Sequence, residues 1–295
     1  MTDQHSGNED NFTPETVTII NCVLNAPLML ISILGNALVL AAIIRTPSIR
    51  STPYMIMLCS LAVSDFLVGL IGQPVYITQQ LTDDRGLAYH VWRLLGSSLC
   101  VVTLLAITAI AVDRYLSLHY HMGYATLVTK SRVKYVLIVI WLISFLVSVF
   151  DVWNERIYQL SVGSIIAISL VISTLSYIRI YLIVRRHQLH INAQQQAVQN
   201  FNAGNNLNIA RLKRSAMNTF VFYIALIMCY FPMYLLLTLH GLSYVFWQTE
   251  SEFATTLVLS NSCINPFLYC WRLRELRTAV VKTARKMLCK ETEQN

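Results

Sequence analysis

Long apolar runs separated by short polar links dominate the chain. Runs of roughly 20 mostly apolar residues, enough to cross a hydrocarbon layer about 30 Å thick as a helix, lie near residues 18–44, 54–78, 90–112, 135–153, 158–184, 216–240 and 246–271. The intervening links are short, apart from one at 187–210. The pattern predicts an all-α membrane protein, a seven-helix bundle. It comprises an N-terminal tail over 1–17, a membrane domain over 18–271, and a C-terminal segment over 272–295 that alternates basic and apolar residues like a helix lying in the interface.

Composition agrees with that pattern. Of 295 residues, 55% are hydrophobic and only 13% charged, more apolar surface than one soluble core absorbs. The charges are also segregated. With the N-terminus outside, 19 of the 22 Lys and Arg fall on the cytosolic side, whereas ten of the 15 acidic residues fall outside. An excess of basic residues on the cytosolic side fixes orientation, so the N-terminus is predicted to be extracellular and the C-terminus cytosolic. The net charge of +7 then points to anionic membrane lipid and cytosolic partners, not to nucleic acid. The first residues are acidic and contain no Lys or Arg, unlike a cleaved signal peptide. Asn11-Phe12-Thr13 is a glycosylation acceptor in that topology. Cys22 is the sole cysteine near the outer face, which predicts no extracellular disulfide.

Polar groups inside membrane spans are costly and need a reason. Asp65 is the sole acidic residue in the middle of a span. Asn36, Thr103, Asn261, Ser262 and Asn265 come from other spans at similar depth, within reach of one buried cluster. Asp65 is then a protonated carboxyl, a carboxylate binding a small cation such as sodium with Thr103, Asn261, Ser262 and Asn265 as oxygen donors, or part of a hydrogen-bonded staple with no ion. No tightly bound cofactor is expected. Pro232 and Pro266 interrupt two spans beside polar and aromatic residues, and each removes a backbone bond and bends its helix. Both are predicted hinges.

Taken in order, these residues resemble the rhodopsin-like (class A) G-protein-coupled receptors. Gly35-Asn36 lies in the first span, "LAVSD" (61–65) in the second, "DRY" (113–115) closes the third, and Trp141 lies in the fourth. Tyr177 in the fifth, "CYFP" (229–232) in the sixth and "NPFLY" (265–269) in the seventh complete the match. The resemblance implies that Asp113 restrains Arg114 at rest. On activation, Arg114 beside Tyr115 would turn toward a G protein, with Tyr177 and Tyr269 closing around it. Tyr230, Pro232, Asn265 and Pro266 would transmit the motion, and Cys289 would follow the short helix after span seven as a palmitoylation site. A heterotrimeric G protein, arrestin and a receptor kinase are the implied partners, together with an extracellular ligand and membrane lipid.

The chain also departs from the family. Tyr89 stands where a cysteine is usual, the link at 151–159 is very short, and Tyr230 replaces the common tryptophan. Ser169 replaces a proline, and "RLKR" at 211–214 offers no acidic residue to hold Arg114. The missing cysteine, missing proline and short link together resemble the melanocortin, lysophospholipid and cannabinoid branch, and the missing acid at 211–214 predicts a weak resting lock. No Lys occupies the seventh span at Leu259 and no Asp the third at Gly96, which excludes an opsin and an ordinary monoamine receptor. The implied pocket is lined by Tyr76, Arg93, Gly96, Cys100, Met233, Tyr234, Leu237, His240 and Thr255. Its single fixed positive charge points to an acidic lipid or other small molecule.

One rival remains at this stage, a cation-coupled secondary transporter using Asp65. Transporters of that kind usually carry repeated halves, and no internal repeat is visible. An enzyme is not expected, because the histidines lie in loops or at helix ends rather than beside a nucleophile.

Overall fold

The computed structural model describes residues 14–47, 52–82, 86–120, 123–197, 221, 223–240 and 248–292. Their helices are α1 (Pro14–Arg45), α2 (Pro53–Thr82), α3 (Leu87–Tyr120), α4 (Lys130–Trp153), α5 (Glu155–Ala197), α6 (Tyr223–His240), α7 (Gln248–Arg272) and α8 (Arg274–Thr292). A further helical turn, Tyr124–Leu127, joins α3 to α4. No strand occurs among the described residues.

Six helices, α1 to α6, are long and apolar enough to cross a bilayer. The 25-residue α7 is also long enough, but Glu250, Glu252, Asn261 and Asn265 dilute its apolar character. Asn261 and Asn265 are buried in the bundle, where α7 packs against α1, whereas Glu250 is exposed. Lipid-facing positions such as Ile138, Leu142, Leu146, Val171 and Leu175 are apolar and exposed, as expected where hydrocarbon takes the place of water.

The span boundaries have local causes. Thr52 and Thr129 cap α2 and α4 by accepting from the backbone N–H of Met55 and Arg132. The link between α4 and α5 narrows to Asn154, whose Oδ1 accepts from the backbone N–H groups of Arg156 and Ile157 at 3.0 and 3.2 Å. That link is therefore even shorter than the sequence predicts. α1 begins at Pro14, inside the predicted tail, and α5 continues to Ala197, well beyond its predicted span.

Two π-helical turns, Val68–Gly72 in α2 and Trp92–Gly96 in α3, face each other. A π turn inserts one extra residue and re-aims the side chains beyond it. Gly69 lets α2 press onto α1, since a Cβ there would lie 3.0 Å from the Ser32 Cβ. Gly35 does the same for α1 and α7, its Cβ position lying 3.0 Å from Pro266 Cγ.

Candidate functional site: two ends of one bundle

The middle of the bundle holds the predicted polar cluster. Asp65 Oδ1 accepts from Thr103 Oγ1 at 3.0 Å and Ser262 Oγ at 2.9 Å, while Oδ2 accepts from Asn265 Nδ2 at 2.8 Å. Three helices thus converge on one fully buried carboxyl. Asn261 does not join them; it is buried, and among the described residues its Nδ2 has no hydrogen-bond partner. Asn36 plays a different part. Pro266 has no N–H to give the carbonyl four residues earlier, Ser262, and Asn36 Nδ2 donates to that carbonyl at 3.1 Å. The bend in α7 is held by α1.

At one end of the bundle, Asp113 is buried and Arg114 donates to its Oδ2 through both Nε and Nη2. The other carboxylate oxygen accepts from Tyr124 Oη at 2.6 Å. Burial and the Asp113 carboxylate both hold the Tyr124 phenol above its ordinary pKa, so it remains a donor. The Arg114 guanidinium carbon stacks 3.7 Å from the centre of the Tyr54 ring, and Arg272 approaches that ring at 5.8 Å. Tyr115 stacks on His119. Tyr177 and Tyr269 are both buried; Tyr177 tilts against Tyr223 at 4.9 Å, and Tyr223 shares a 2.8 Å hydrogen bond with Thr174. Residues 211–214 lie outside the described residues, as does Asn11, and the side chain of Cys289 is not described.

The opposite end opens into a cavity of about 710 Å³, within the range of small-molecule sites. Tyr76, Arg93, Cys100, Met233, Leu237, His240 and Thr255 line it. Gly96 and Tyr234 do not. A Cβ at Gly96 would clash with the Trp92 ring at its Cε3, because the indole lies over the glycine within the π turn. Tyr234 packs instead with the core and Phe231.

The cavity is not lined by a lone positive charge. Arg93 Nη1 donates to Glu155 Oε1 at 3.1 Å and also to Tyr89 Oη, and the guanidinium lies 5.5 Å from the Tyr158 ring centre. Glu252 lines the same cavity from α7. Tyr230 forms the floor, its hydroxyl donating to the Cys100 carbonyl at 3.1 Å. Neither carboxylate entered the expected pocket. Asn154-Glu155, a capping residue followed by an acid, was the available signal for Glu155.

A bundle with a ligand-sized cavity at one end, an aspartate-held arginine at the other and a buried carboxyl between them defines a transmembrane receptor class. Comparison with known proteins agrees. The family model described as "7 transmembrane receptor (rhodopsin family)" matches residues 35–161. Melanocortin receptor 5 of Pan troglodytes is 28% identical over 281 residues, covering 88% of this chain and 81% of that receptor. Melanocortin receptor 3 of Homo sapiens is 29% identical over 282 residues, covering 88% and 82%. Histamine H2 receptor of Cavia porcellus is 27% identical over 297 residues, covering 91% and 80%.

These similarities support a rhodopsin-like (class A) G-protein-coupled receptor near the melanocortin branch. It is a multi-pass plasma-membrane receptor that couples an extracellular ligand to a G protein, and its relatives are receptors rather than enzymes. The transporter reading finds no support among them.

Proposed function

We propose that Arg114 is the switch this receptor uses to engage its G protein, and that its end of the bundle faces the cytosol. The observation that carries the reading is the way Arg114 is held. Among the described residues it is paired with Asp113 and stacked on Tyr54, both on helices other than α6. When α6 swings aside, Arg114 can exchange these contacts for backbone carbonyls of the partner without losing its charge. Tyr177 and Tyr269 then close around it. With no acidic residue at 211–214, the resting lock is weak and basal coupling is measurable.

The charge asymmetry of the links supports an extracellular N-terminus, with glycosylation at Asn11, and a cytosolic α8 anchored by palmitate at Cys289 on anionic lipid. Arrestin and a receptor kinase use the same cytosolic face. The ligand is a small amphipathic molecule whose acidic group displaces Glu155 from Arg93; Glu155 is 59% exposed, so breaking that pair costs little. Glu252 across the cavity favours a zwitterionic ligand over a purely anionic one. Ligand binding that favours the state with α6 displaced shifts the population toward it. Tyr230, Pro232, Asn265 and Pro266 carry the change past Asp65, where Thr103, Ser262 and Asn265 surround a carboxylate able to hold sodium in the resting state. The carboxylate has lone pairs beyond its three hydrogen bonds to offer an ion.

The test is nucleotide exchange by purified receptor in lipid nanodiscs with a panel of Gα subtypes. Ligand-free exchange above empty discs that disappears with Arg114→Ala supports the proposal. Exchange that survives Arg114→Ala overturns it.

A further inference from the structure

A second set of buried polar groups lies between α1, α2 and α7, closer to the cavity than Asp65. Asn21 and Asn25, one turn apart on α1, are fully buried. Asn25 donates to the Asn21 carbonyl and to Thr256 Oγ1, each at 2.9 Å; Thr256 donates to Asn21 Oδ1 at 3.0 Å; and Asn21 Nδ2 reaches the Glu252 carboxylate at 3.3 Å. This network satisfies the Asn25 amide nitrogen and leaves its Oδ1 buried with no hydrogen-bond partner.

Gln73 on α2 is a second such group. Its amide is fully buried, and neither Oε1 nor Nε2 has a hydrogen-bond partner. One turn earlier Gly69 touches Ser32 and Ile33 of α1, and three residues later Tyr76 Oη donates to the Glu252 carbonyl at 3.1 Å. Gln73 thus lies on α2 between Gly69, which touches α1, and Tyr76, which bonds α7. A buried polar group without a partner costs on the order of 1–3 kcal/mol, and the Gln73 amide together with Asn25 Oδ1 calls for a polar guest.

We infer that this junction is a second monovalent-cation site, separate from Asp65, formed by the Asn25 and Gln73 amide oxygens with the Glu252 carboxylate at its mouth. The donor chemistry sets the class of ion. One carboxylate and neutral oxygens suit a small monovalent cation, whereas a divalent ion draws on more carboxylates. Among the described residues no three His, Cys, Asp or Glu side chains converge. Glu252 lines the open cavity, so the site fills from the ligand side and does not require an ion to pass the Tyr230 floor. A ligand contacting Glu252 then competes with this ion directly.

The experiment is thermal unfolding of the full-length receptor in nanodiscs as NaCl replaces choline chloride at constant ionic strength. Asp65→Asn is expected to retain a sodium-specific rise in Tm, and Asp65→Asn/Gln73→Leu to lose it while its Tm in choline holds. Gln73→Glu, which adds a carboxylate at the junction, should lower the half-saturating sodium concentration at least several-fold. A sodium response abolished by Asp65→Asn alone, or unchanged by Gln73→Leu in that background, overturns the proposal and leaves water at the junction. Because unfolding needs no G protein, these outcomes are independent of nucleotide exchange, and failure here leaves the coupling proposal untouched.

Discussion

Arg114 rests on the face of Tyr54, its guanidinium carbon 3.7 Å from the ring centre. The aromatic face supplies the negative potential that the basic segment leading into α6 lacks. A cation–π contact of this kind is worth about 0.5–2 kcal/mol, which corresponds to roughly a two- to thirtyfold change in a two-state equilibrium. Tyr54→Leu is therefore expected to raise basal nucleotide exchange within that range, and Tyr54→Phe, which keeps the ring, to stay near wild type. Equal exchange by both variants would remove Tyr54 from the lock.

Tyr124 adds a second restraint through its 2.6 Å bond to Asp113. Losing a hydrogen bond to a charged group costs about 1.5–3 kcal/mol, and here the loss falls on the resting state. Tyr124→Phe should increase basal exchange. Combined with Asp113→Asn it should add little, since both changes act on one network. Fully additive effects would show that the two groups act separately.

The floor of the cavity makes a further prediction. Tyr230 joins α6 to the Cys100 carbonyl of α3, where an indole at that position could not extend a hydroxyl. Tyr230→Phe removes a neutral hydrogen bond worth about 0.5–1.5 kcal/mol without emptying the space. Basal exchange should rise by up to about tenfold. A fall below wild type would mean that the bond belongs to the active state.

Gly35 is limited by space rather than by conformation. Its Cβ position lies 3.0 Å from the Pro266 ring, and Asn36 beside it holds the carbonyl that Pro266 leaves free. Gly35→Val should cost about 1–3 kcal/mol by overpacking, seen as a lower Tm of the purified receptor. Unchanged thermal stability would mean that α1 can back away from the bend.

These relationships differ in how far the sequence reveals them. Asp65 and its partners stand out because a carboxyl and amides are expensive in an apolar span, and depth alone brings Asp65, Thr103, Ser262 and Asn265 together. The same depth argument includes Asn261, which makes no hydrogen bond to Asp65 among the described residues, since depth does not specify the face of a helix. Asn21, Asn25 and Gln73 carry the same signal, polar amides within or beside apolar spans. Tyr54 looks like any aromatic residue in an apolar run until α2 and α3 are packed. Gly96 was misplaced because a π turn re-aims the residues after it, and spacing at 3.6 residues per turn cannot register that insertion. Glu155 was assigned to a loop, whereas the Asn154 cap makes it the first residue of α5 and sets it against Arg93.

The measurement that bears most directly on the account is the distance between spin labels at Ile224 of α6 and Tyr135 of α4, both exposed, with and without nucleotide-free G protein. The account predicts an outward shift of α6 by several ångströms on coupling, and a partly shifted population in free Tyr54→Leu receptor. A distance distribution unchanged by the G protein would contradict the release of Arg114 by movement of α6.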